Sequence, residues 1–527
     1  MRRFKSGVVV AAHPLAAKAG VEILRRDGNA VDAAVATAQA LGSVAPAFSG
    51  IGGGGFALIW LDKEERSVFV DYRERAPHAA REDMFLVDES DDVIGHANSQ
   101  GYLSVATPGT IAGHSLLLDK YGRLGLRETL QPAINYARRG TAVTKTLAAA
   151  WKQSSSKIRR FKTSRPILLK KGKSYGVGER FRLEGLAESL AAVAKEGPAE
   201  FYTGTIANEI CDDMEANRGI LARKDFEDFR PTERNPVHGT YKDLEVFSAP
   251  PPSCGGIILL QALNMLEEHP LKDYGQNSAQ SLRSIGEALT RSSGITREVV
   301  CDPDFSTINV HKMISKEYAA KLVSRATGRA TSKEQQPLSS TSHLVVIDKE
   351  RNVVSMTESV ECYFGSGIIA GDTGVILNDT MHDFEPRAGR SNSVASWKIP
   401  MSSMSPTILL KNGRPVMAVG AAGASRIISS TLQTILNVVG FGMSLQAAVA
   451  APRIHAEGGT LQAEGGVVRR VVADLRKRGV RVETGRRELS WRAGLYFGGV
   501  QAACVNSDNA LIGAPDPRRD GAAIGVD

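Results

Sequence analysis

"QQPLSSTSHLVVIDKERNVVSMTES", residues 335–359, is the stretch on which the reading of this chain turns. Four hydroxyl residues, Ser339, Ser340, Thr341 and Ser342, run into His343 and then Leu344, Val345, Val346 and Ile347. One hydroxyl residue would cap a helix, but four before a β-branched run announce a strand. "NVVSMTES" follows the polar Lys349, Glu350 and Arg351, so the segment reads as a hairpin. Centred on Glu350, the hairpin sets Thr341 opposite Ser359 and His343 opposite Thr357. Thr341, His343, Thr357, Ser359 and Glu361 then share one face. A threonine at a strand's first residue, facing a serine, has a chemical use. With a free α-amine it becomes a nucleophile, the amine taking the hydroxyl proton. That requires a cut between Ser340 and Thr341, and the polar residues 320–340 are expected to form an exposed loop that admits it. The hairpin alone also allows a plainer reading, with Thr341 a strand-start residue and the serines loop filler.

Composition narrows the remaining classes. The chain has 527 residues, 42% hydrophobic and 23% charged, enough for a large core in a globular protein. Its five cysteines, Cys211, Cys254, Cys301, Cys362 and Cys504, are odd in number and far apart, which excludes a disulfide framework and a Cys-x-x-Cys zinc site. The ten histidines form no His-Glu-x-x-His set, so neither a metal nor any other cofactor is expected. "MRRFKSGVVVAAHPLAAKAG" has the basic and apolar parts of a signal peptide, but His13, Pro14 and Lys18 break the apolar run. No stretch approaches a membrane span, and a cytoplasmic enzyme is expected. The net charge of +8 raises nucleic-acid binding. Its densest cluster, "KIRRFKTSRPILLKKGK" (157–173), lacks helical periodicity and a recognition motif, so it reads as a solvated basic face or loop and no nucleic acid is expected.

Along the chain, residues 15–42 form an alanine-rich helical pair, and "GIGGGGFALIWLD" and "SVFVDYRERAP" each hold a strand. Helices dominate 110–220, and "APPPSCGGIILLQALNMLEE" is a turn before a buried helix. From residue 341 strands prevail, with helices near 428–442 and 467–479. This segregation predicts layered α+β architecture, helices covering stacked sheets. Gly50-x-Gly52-x-x-Gly55 with Asp71 beyond it imitates a dinucleotide fingerprint. Here a helix precedes the glycines and a strand follows, the reverse of what pyrophosphate binding needs. The glycines read instead as a place where backbones pack closely beside a site.

Together "DGNAVDAAVA", "GIGGGGF", "DYRERAP", "TPGTIAG", "FYTGTIA", "PPSCGG", "TSHLVVID", "FGSGIIAGDTGVILND", "MSSMSPTILL", "GAAGASRII" and "DPRRDGAA" resemble the γ-glutamyltransferase (glutathione hydrolase) family of N-terminal nucleophile hydrolases. The resemblance spans nearly the whole chain. It implies a four-layer αββα sandwich and a precursor that cuts itself into a large subunit, 1–340, and a small subunit, 341–527, which stay associated as one catalytic unit. By the same resemblance Thr341 is the nucleophile, and Ser359 stands where the family has an activating threonine. Arg73 would pair with the substrate α-carboxylate, Asp383 would take its α-amino group, and Ser402 and Ser403 would meet the carboxylate. Gly423 and Ala424 replace a glycine pair whose N–H groups form the oxyanion hole; alanine serves there if it adopts the needed backbone angles.

Two departures bear on the substrate. Glu361 sits where transferases carry a substrate-contacting asparagine, and Thr380 where a glutamine is usual. With Arg73 and Asp383, Glu361 makes one cation against two carboxylates, unless one of them is protonated. The stretch between Phe384 and Pro400 is also shorter than in lid-bearing members, which predicts an open site. The expected chemistry is amide cleavage through an acyl-enzyme, resolved by water or by the amine of an amino acid or peptide. Glutathione and other γ-glutamyl amides lead as substrates. The alternatives are an amidohydrolase for another small acidic amide such as oxamate, an acylase, or an uncleaved non-catalytic homologue.

Overall fold

The computed structural model describes residues 2–324, 339–484 and 495–527. Two antiparallel sheets stack face to face. In chain order their strands are β1 (Gly7–Ala11), β2 (Gly54–Leu61), β3 (Arg66–Asp71), β4 (Thr232–Arg234), β5 (Val237–Tyr241), β6 (Leu244–Ser248), β7 (Ser339–Asp348), β8 (Val353–Cys362), β9 (Thr407–Lys411), β10 (Arg414–Ala422), β11 (Gly499–Val505), β12 (Leu511–Pro515) and β13 (Ala522–Val526). The first sheet has the order β13-β1-β7-β8-β2-β3-β4 and the second β12-β11-β10-β9-β6-β5. Side-chain alternation explains the stacking. On the first sheet, Val8, Val10, Phe56, Leu58, Val345 and Ile347 enter the core shared with the second sheet. Their neighbours Val9, Ala11, Ala57, Ile59, Leu344 and Val346 face a separate core under helices.

Those helices are α1 (Pro14–Leu24), α2 (Ala30–Val44), α3 (Thr110–Tyr121) and α4 (Leu126–Arg139). Every residue of α2 is buried, which "AVDAAVATAQALGSV" allows because its small side chains let neighbours approach. Its start is set by a capping box, Asn29 accepting from Val31 and Asp32 amides while Asp32 accepts from the Asn29 amide at 2.8 Å. On the outer face of the second sheet lie α5 (Gly255–Leu266), α6 (Ala279–Val299) and α7 (Arg426–Ile435), whose buried side chains are continuous through that sheet with the inter-sheet core. The architecture is the expected α+β sandwich, αββα in layers.

Several local expectations change. The strand begins at Ser339, two residues before Thr341, because Ser339 and Ser340 pair with Cys362 and Glu361. Residues Lys316–Ser324 are helical, burying Ala319 and Leu322, so the expected loop does not start at 320; its residues 325–338 lie outside the described residues. The basic stretch 157–173 contains the end of the helix Lys145–Arg159 and the short helix Ser164–Leu168, anchored by buried Ile158 and Leu168. The signal-like run is a strand in the first sheet, with Val8, Val9 and Val10 fully buried. Among the described residues no helix is long and apolar enough to cross a membrane.

The glycine run does what its order indicated. A Cβ on Gly53 would lie 2.0 Å from the Ser359 carbonyl oxygen, so only glycine lets this segment cross the end of β8. Gly50 faces nothing nearer than the Gly42 Cα at 3.9 Å. Gly53→Ala is therefore expected to cost about 2 kcal/mol or more in urea unfolding, and Gly50→Ala to stay within about 0.5 kcal/mol. Equal effects would show that the run is not packed as described.

Candidate active site

The hairpin register holds from Val353 opposite Ile347 to Thr357 opposite His343 and Glu358 opposite Ser342, and then breaks. The next pair is Glu361 with Ser340, so Ser359 and Val360 face the single residue Thr341. This is a β-bulge, the device that re-aims side chains at a sheet's end. It leaves Thr341 Oγ1 3.5 Å from Ser359 Oγ and gives Glu361 a left-handed φ of 74°.

The peptide bond before Thr341 is intact, and its carbonyl is the focus of the bulge. Thr341 Oγ1 donates to the Ser340 oxygen at 2.5 Å, and Ser359 Oγ donates to the same oxygen. The Glu361 amide donates in turn to Ser359 Oγ at 2.8 Å, which polarises that hydroxyl toward the carbonyl. Two hydroxyls on one carbonyl oxygen form an arrangement that stabilises negative charge there.

Around Thr341 lies a small cavity lined by Glu361, Asp383, Ser402, Ser403, Met404, Ala424 and Ile427. The expected open site is instead narrow. Thr341 is 5% exposed and Ser359 1%, with Asp383, Ser402 and Ser403 on the wall opposite. Ala424 follows β10 at φ 52°, the left-handed angle an alanine seldom takes, and Gly423 precedes it at φ 131°. A Cβ on Gly423 would meet the Gly498 Cα at 2.8 Å. Ala424 thus adopts an angle that glycine would hold without strain, at a cost of about 1–3 kcal/mol.

Arg73 stands behind the cavity wall rather than on it. Its Nη2 donates to Asp383 Oδ2 and to the Met401 oxygen at 3.3 Å, and its Nε donates to the Pro400 oxygen at 2.9 Å. Nη1 lies 3.8 Å from Glu74 Oε2. Burial opposes its charge, but Asp383, Glu74 and Glu361 outweigh that and hold the proton firmly. Glu361 responds oppositely. Burial first, and the Asp383 carboxylate second, push its acid well above the ordinary carboxyl range, against Arg73. Burial and Asp383 thus favour the acid form of Glu361, which relieves the surplus of carboxylates counted from sequence. Glu361, His382 and Asp383 offer ligand atoms within 4.8 Å of one another. A protonated acid and an arginine-paired carboxylate are a poor metal set, since ligands must be deprotonated.

Sequence reasoning passed over four groups. Glu74 is fully buried, and its Oε1 accepts from Thr380 Oγ1 at 2.9 Å, which is what the unusual threonine does. Arg297 on α6 donates from Nη2 to Ser403 Oγ at 3.4 Å and lies 3.7 Å from Glu457. Glu457 accepts from Ser425 Oγ at 2.9 Å and meets His455 Nε2 at 3.1 Å. Glu74 sits inside the "DYRERAP" motif and was within reach, whereas Arg297, His455 and Glu457 come from segments with no motif.

Two stacked antiparallel sheets between helical layers, with a central strand that meets a bulge serine at Thr341, form the αββα sandwich of the N-terminal nucleophile hydrolases. The sequence model of the Gamma-glutamyltranspeptidase family matches residues 16–526, and the chain belongs to that family. It is 36% identical over 538 residues to the glutathione hydrolase proenzyme of Escherichia coli (strain K12), covering 98% of this chain and 91% of that one. It is 35% identical over 530 residues to the acylase ACY 1 proenzyme of Pseudomonas sp. (strain SE83), covering 99% and 93%. Among solved structures it resembles the cephalosporin acylase from Bacillus halodurans, with TM-score 0.88 and 27% identity over 100% of this chain and 97% of that one. It also resembles the Helicobacter pylori gamma-glutamyltranspeptidase, with TM-score 0.59 and 35% identity over 61% and 92%.

The buried acids give a pH test that needs no substrate. Burial pushes the Glu74 carboxyl up from 4.5 to about 7, despite Arg73 and the Thr380 hydroxyl. A raised folded-state value means Glu74 contributes stability that is full below 4.5 and lost as the pH rises through about 7. Glu74→Gln escapes this loss. Its stability relative to the parent should therefore rise across that window by up to roughly 3 kcal/mol and then level off. A pH-independent difference in urea unfolding would show that Glu74 is not held as an acid.

Proposed function

We propose that the chain is a precursor that cuts its own Ser340–Thr341 bond and, once cut, opens γ-glutamyl amides of the glutathione type by hydrolysis or transpeptidation. The observation that carries this reading is the Ser340 carbonyl oxygen, which accepts from the hydroxyls of both Thr341 and Ser359. In the first reaction Thr341 Oγ attacks the Ser340 carbonyl carbon and Ser359 supports the oxyanion. The acyl group moves from nitrogen to oxygen, and water then splits the ester. Residues 1–340 end in a new carboxylate, and 341–527 begin with the Thr341 amine. Residues 1–340 supply β1–β6 and the first two residues of β7, and 341–527 supply the rest of β7 and β8–β13, so each sheet draws strands from both products, which supports their staying together.

In the second reaction the Thr341 amine takes the hydroxyl proton, and Oγ attacks the donor's amide carbonyl. The Gly423 and Ala424 amides hold the oxyanion, and the amine returns the proton to the leaving group. Water, or the amine of an amino acid or peptide, then resolves the acyl-enzyme. Asp383, held by Arg73, takes the donor's ammonium, and Ser402 and Ser403 take its carboxylate. Cytoplasmic location belongs to the same proposal, supported by the use of residues 7–11 as an internal strand. A second reading, an acylase for another acidic side-chain amide, is favoured by the full-length likeness to acylases and by Glu361, which presents an acid where transferases present an amide.

Purified protein is expected to run on a denaturing gel as two chains, 1–340 and 341–527, and Thr341→Ala as one. An active, uncut 527-residue chain would remove Thr341 as the nucleophile. Because burial and Asp383 favour the acid form of Glu361, Glu361→Gln should change the KM for a γ-glutamyl anilide by less than about threefold. A charged Glu361 would instead give an improvement of about five- to thirtyfold, the equivalent of 1–2 kcal/mol of relieved repulsion.

A further inference from the structure

Among the described residues no cation lines the cavity: on its walls, Glu361 and Asp383 are acids and Ser402 and Ser403 are neutral. Arg73 is committed elsewhere, to Asp383, two backbone oxygens and the side of Glu74. The serines are the neutral donors on the cavity wall, and what stands behind them decides how well they meet a donor carboxylate. Ser402 Oγ accepts from the Met404 amide at 3.1 Å, and Ser403 Oγ accepts from Arg297 Nη2 at 3.4 Å. A hydroxyl has a single proton. With its oxygen engaged from the rear, the Ser402 proton can turn into the cavity, while Ser403 stands between Arg297 and the buried Cys254 thiol, which also meets its hydroxyl.

Arg297 is more than a passive neighbour. Its side chain is 8% exposed, and its Nε has no hydrogen-bond partner, Glu457 Oε1 standing off at 3.7 Å. Burial opposes its charge, but Cys254, Glu457 and Asp383 keep it protonated. Glu457 is equally fixed: burial would raise its carboxyl, but Arg297, then His455 and Ser425, bring it down to about 2. Ser425 follows Ala424 in the chain, so Glu457 ties the guanidinium behind Ser403 to the turn that carries the oxyanion amides.

We infer that Arg297 is a positioning residue that converts the Ser402–Ser403 wall into a carboxylate subsite, with Glu457 fixing its place relative to the oxyanion turn. The inference deepens the proposed reaction and rests on it. The cavity then reads an amino-acid head by its two ends, ammonium toward Asp383 and carboxylate toward Ser403 and the positive field behind it.

The test uses self-cleaved enzyme and three anilides with one leaving group: γ-glutamyl, 4-aminobutyryl (no carboxylate) and glutaryl (no ammonium). The quantity read is the ratio of kcat/KM for the γ-glutamyl to the 4-aminobutyryl donor. Arg297→Met should lower this ratio about tenfold or more, mainly through KM, and Arg297→Lys should restore part of it. A ratio within about threefold of the parent's, with all donors slowed alike, assigns Arg297 a merely structural role and overturns the inference. A parent enzyme indifferent to the carboxylate also overturns it, as does one inactive on all three. If Arg297→Met fails to self-cleave, Arg297→Lys carries the test, since it keeps the buried charge and loses the planar fork. Turnover of glutaryl but not γ-glutamyl anilide would refute the γ-glutamyl reading alone. The Arg297 ratio is then taken as glutaryl over butyryl anilide.

Discussion

One extra residue in β8 organises the site. Had the hairpin kept its register, Thr341 would face Ser359 alone and Glu361 would continue the ladder. The bulge instead sets Ser359 and Val360 against Thr341. Ser359 then reaches the Ser340 carbonyl, and the Glu361 amide reaches Ser359. The bulge is held from the helix side as well, where buried Glu358 accepts from the Tyr72 hydroxyl at 3.0 Å and meets His114. Gly53 lies flat over its carbonyl, where any side chain would collide. A sheet defect needs such bracing, because it forgoes ladder hydrogen bonds and here accepts a left-handed glutamate.

The second constraint is electrostatic. Arg73, Glu74, Glu361 and Asp383 are buried or nearly so beside the cavity, and the group is viable only because its charges are paired or protonated away. Arg73 neutralises Asp383, while Glu361 and Glu74 are pushed toward their acid forms. The opposite wall works by the reverse device, a buried arginine and an ionised Glu457 held at fixed distance behind neutral hydroxyls. In the proposed reaction these two ends would receive the ammonium and the carboxylate of a dipolar ligand head, and preorganisation of this kind costs no rearrangement when the ligand enters.

How far the sequence was legible follows from the range of each interaction. The hairpin, its turn and the Thr357–His343 pairing were readable from alternation alone, and His343 Nδ1 does meet Thr357 Oγ1 at 2.8 Å. The bulge was not, because no residue preference marks it; its fit depends on Gly53, far away in sequence and just ahead of the neighbouring β2. The helical pair near the amino terminus was legible from small-residue spacing, while Lys316–Ser324 was hidden by its polar composition. The roles of Ser402, Ser403, Asp383 and Ala424 came by resemblance rather than from periodicity. Arg297 and Glu457 were out of reach, since a helix and a small separate sheet bring them together across 160 residues of chain. Glu361 was flagged by its charge, but its protonation depends on burial that composition cannot reveal.

The central claim is that the Ser359 hydroxyl stabilises charge on the Ser340 carbonyl during self-cleavage. The most direct measurement is the rate of chain scission in freshly synthesised precursor, followed by intact mass for the parent, Ser359→Ala and Ser359→Thr. Losing one oxyanion donor should slow scission by about a hundredfold in Ser359→Ala. Ser359→Thr, which keeps the hydroxyl, should stay within about tenfold of the parent. Scission of Ser359→Ala at the parent's rate would contradict the account.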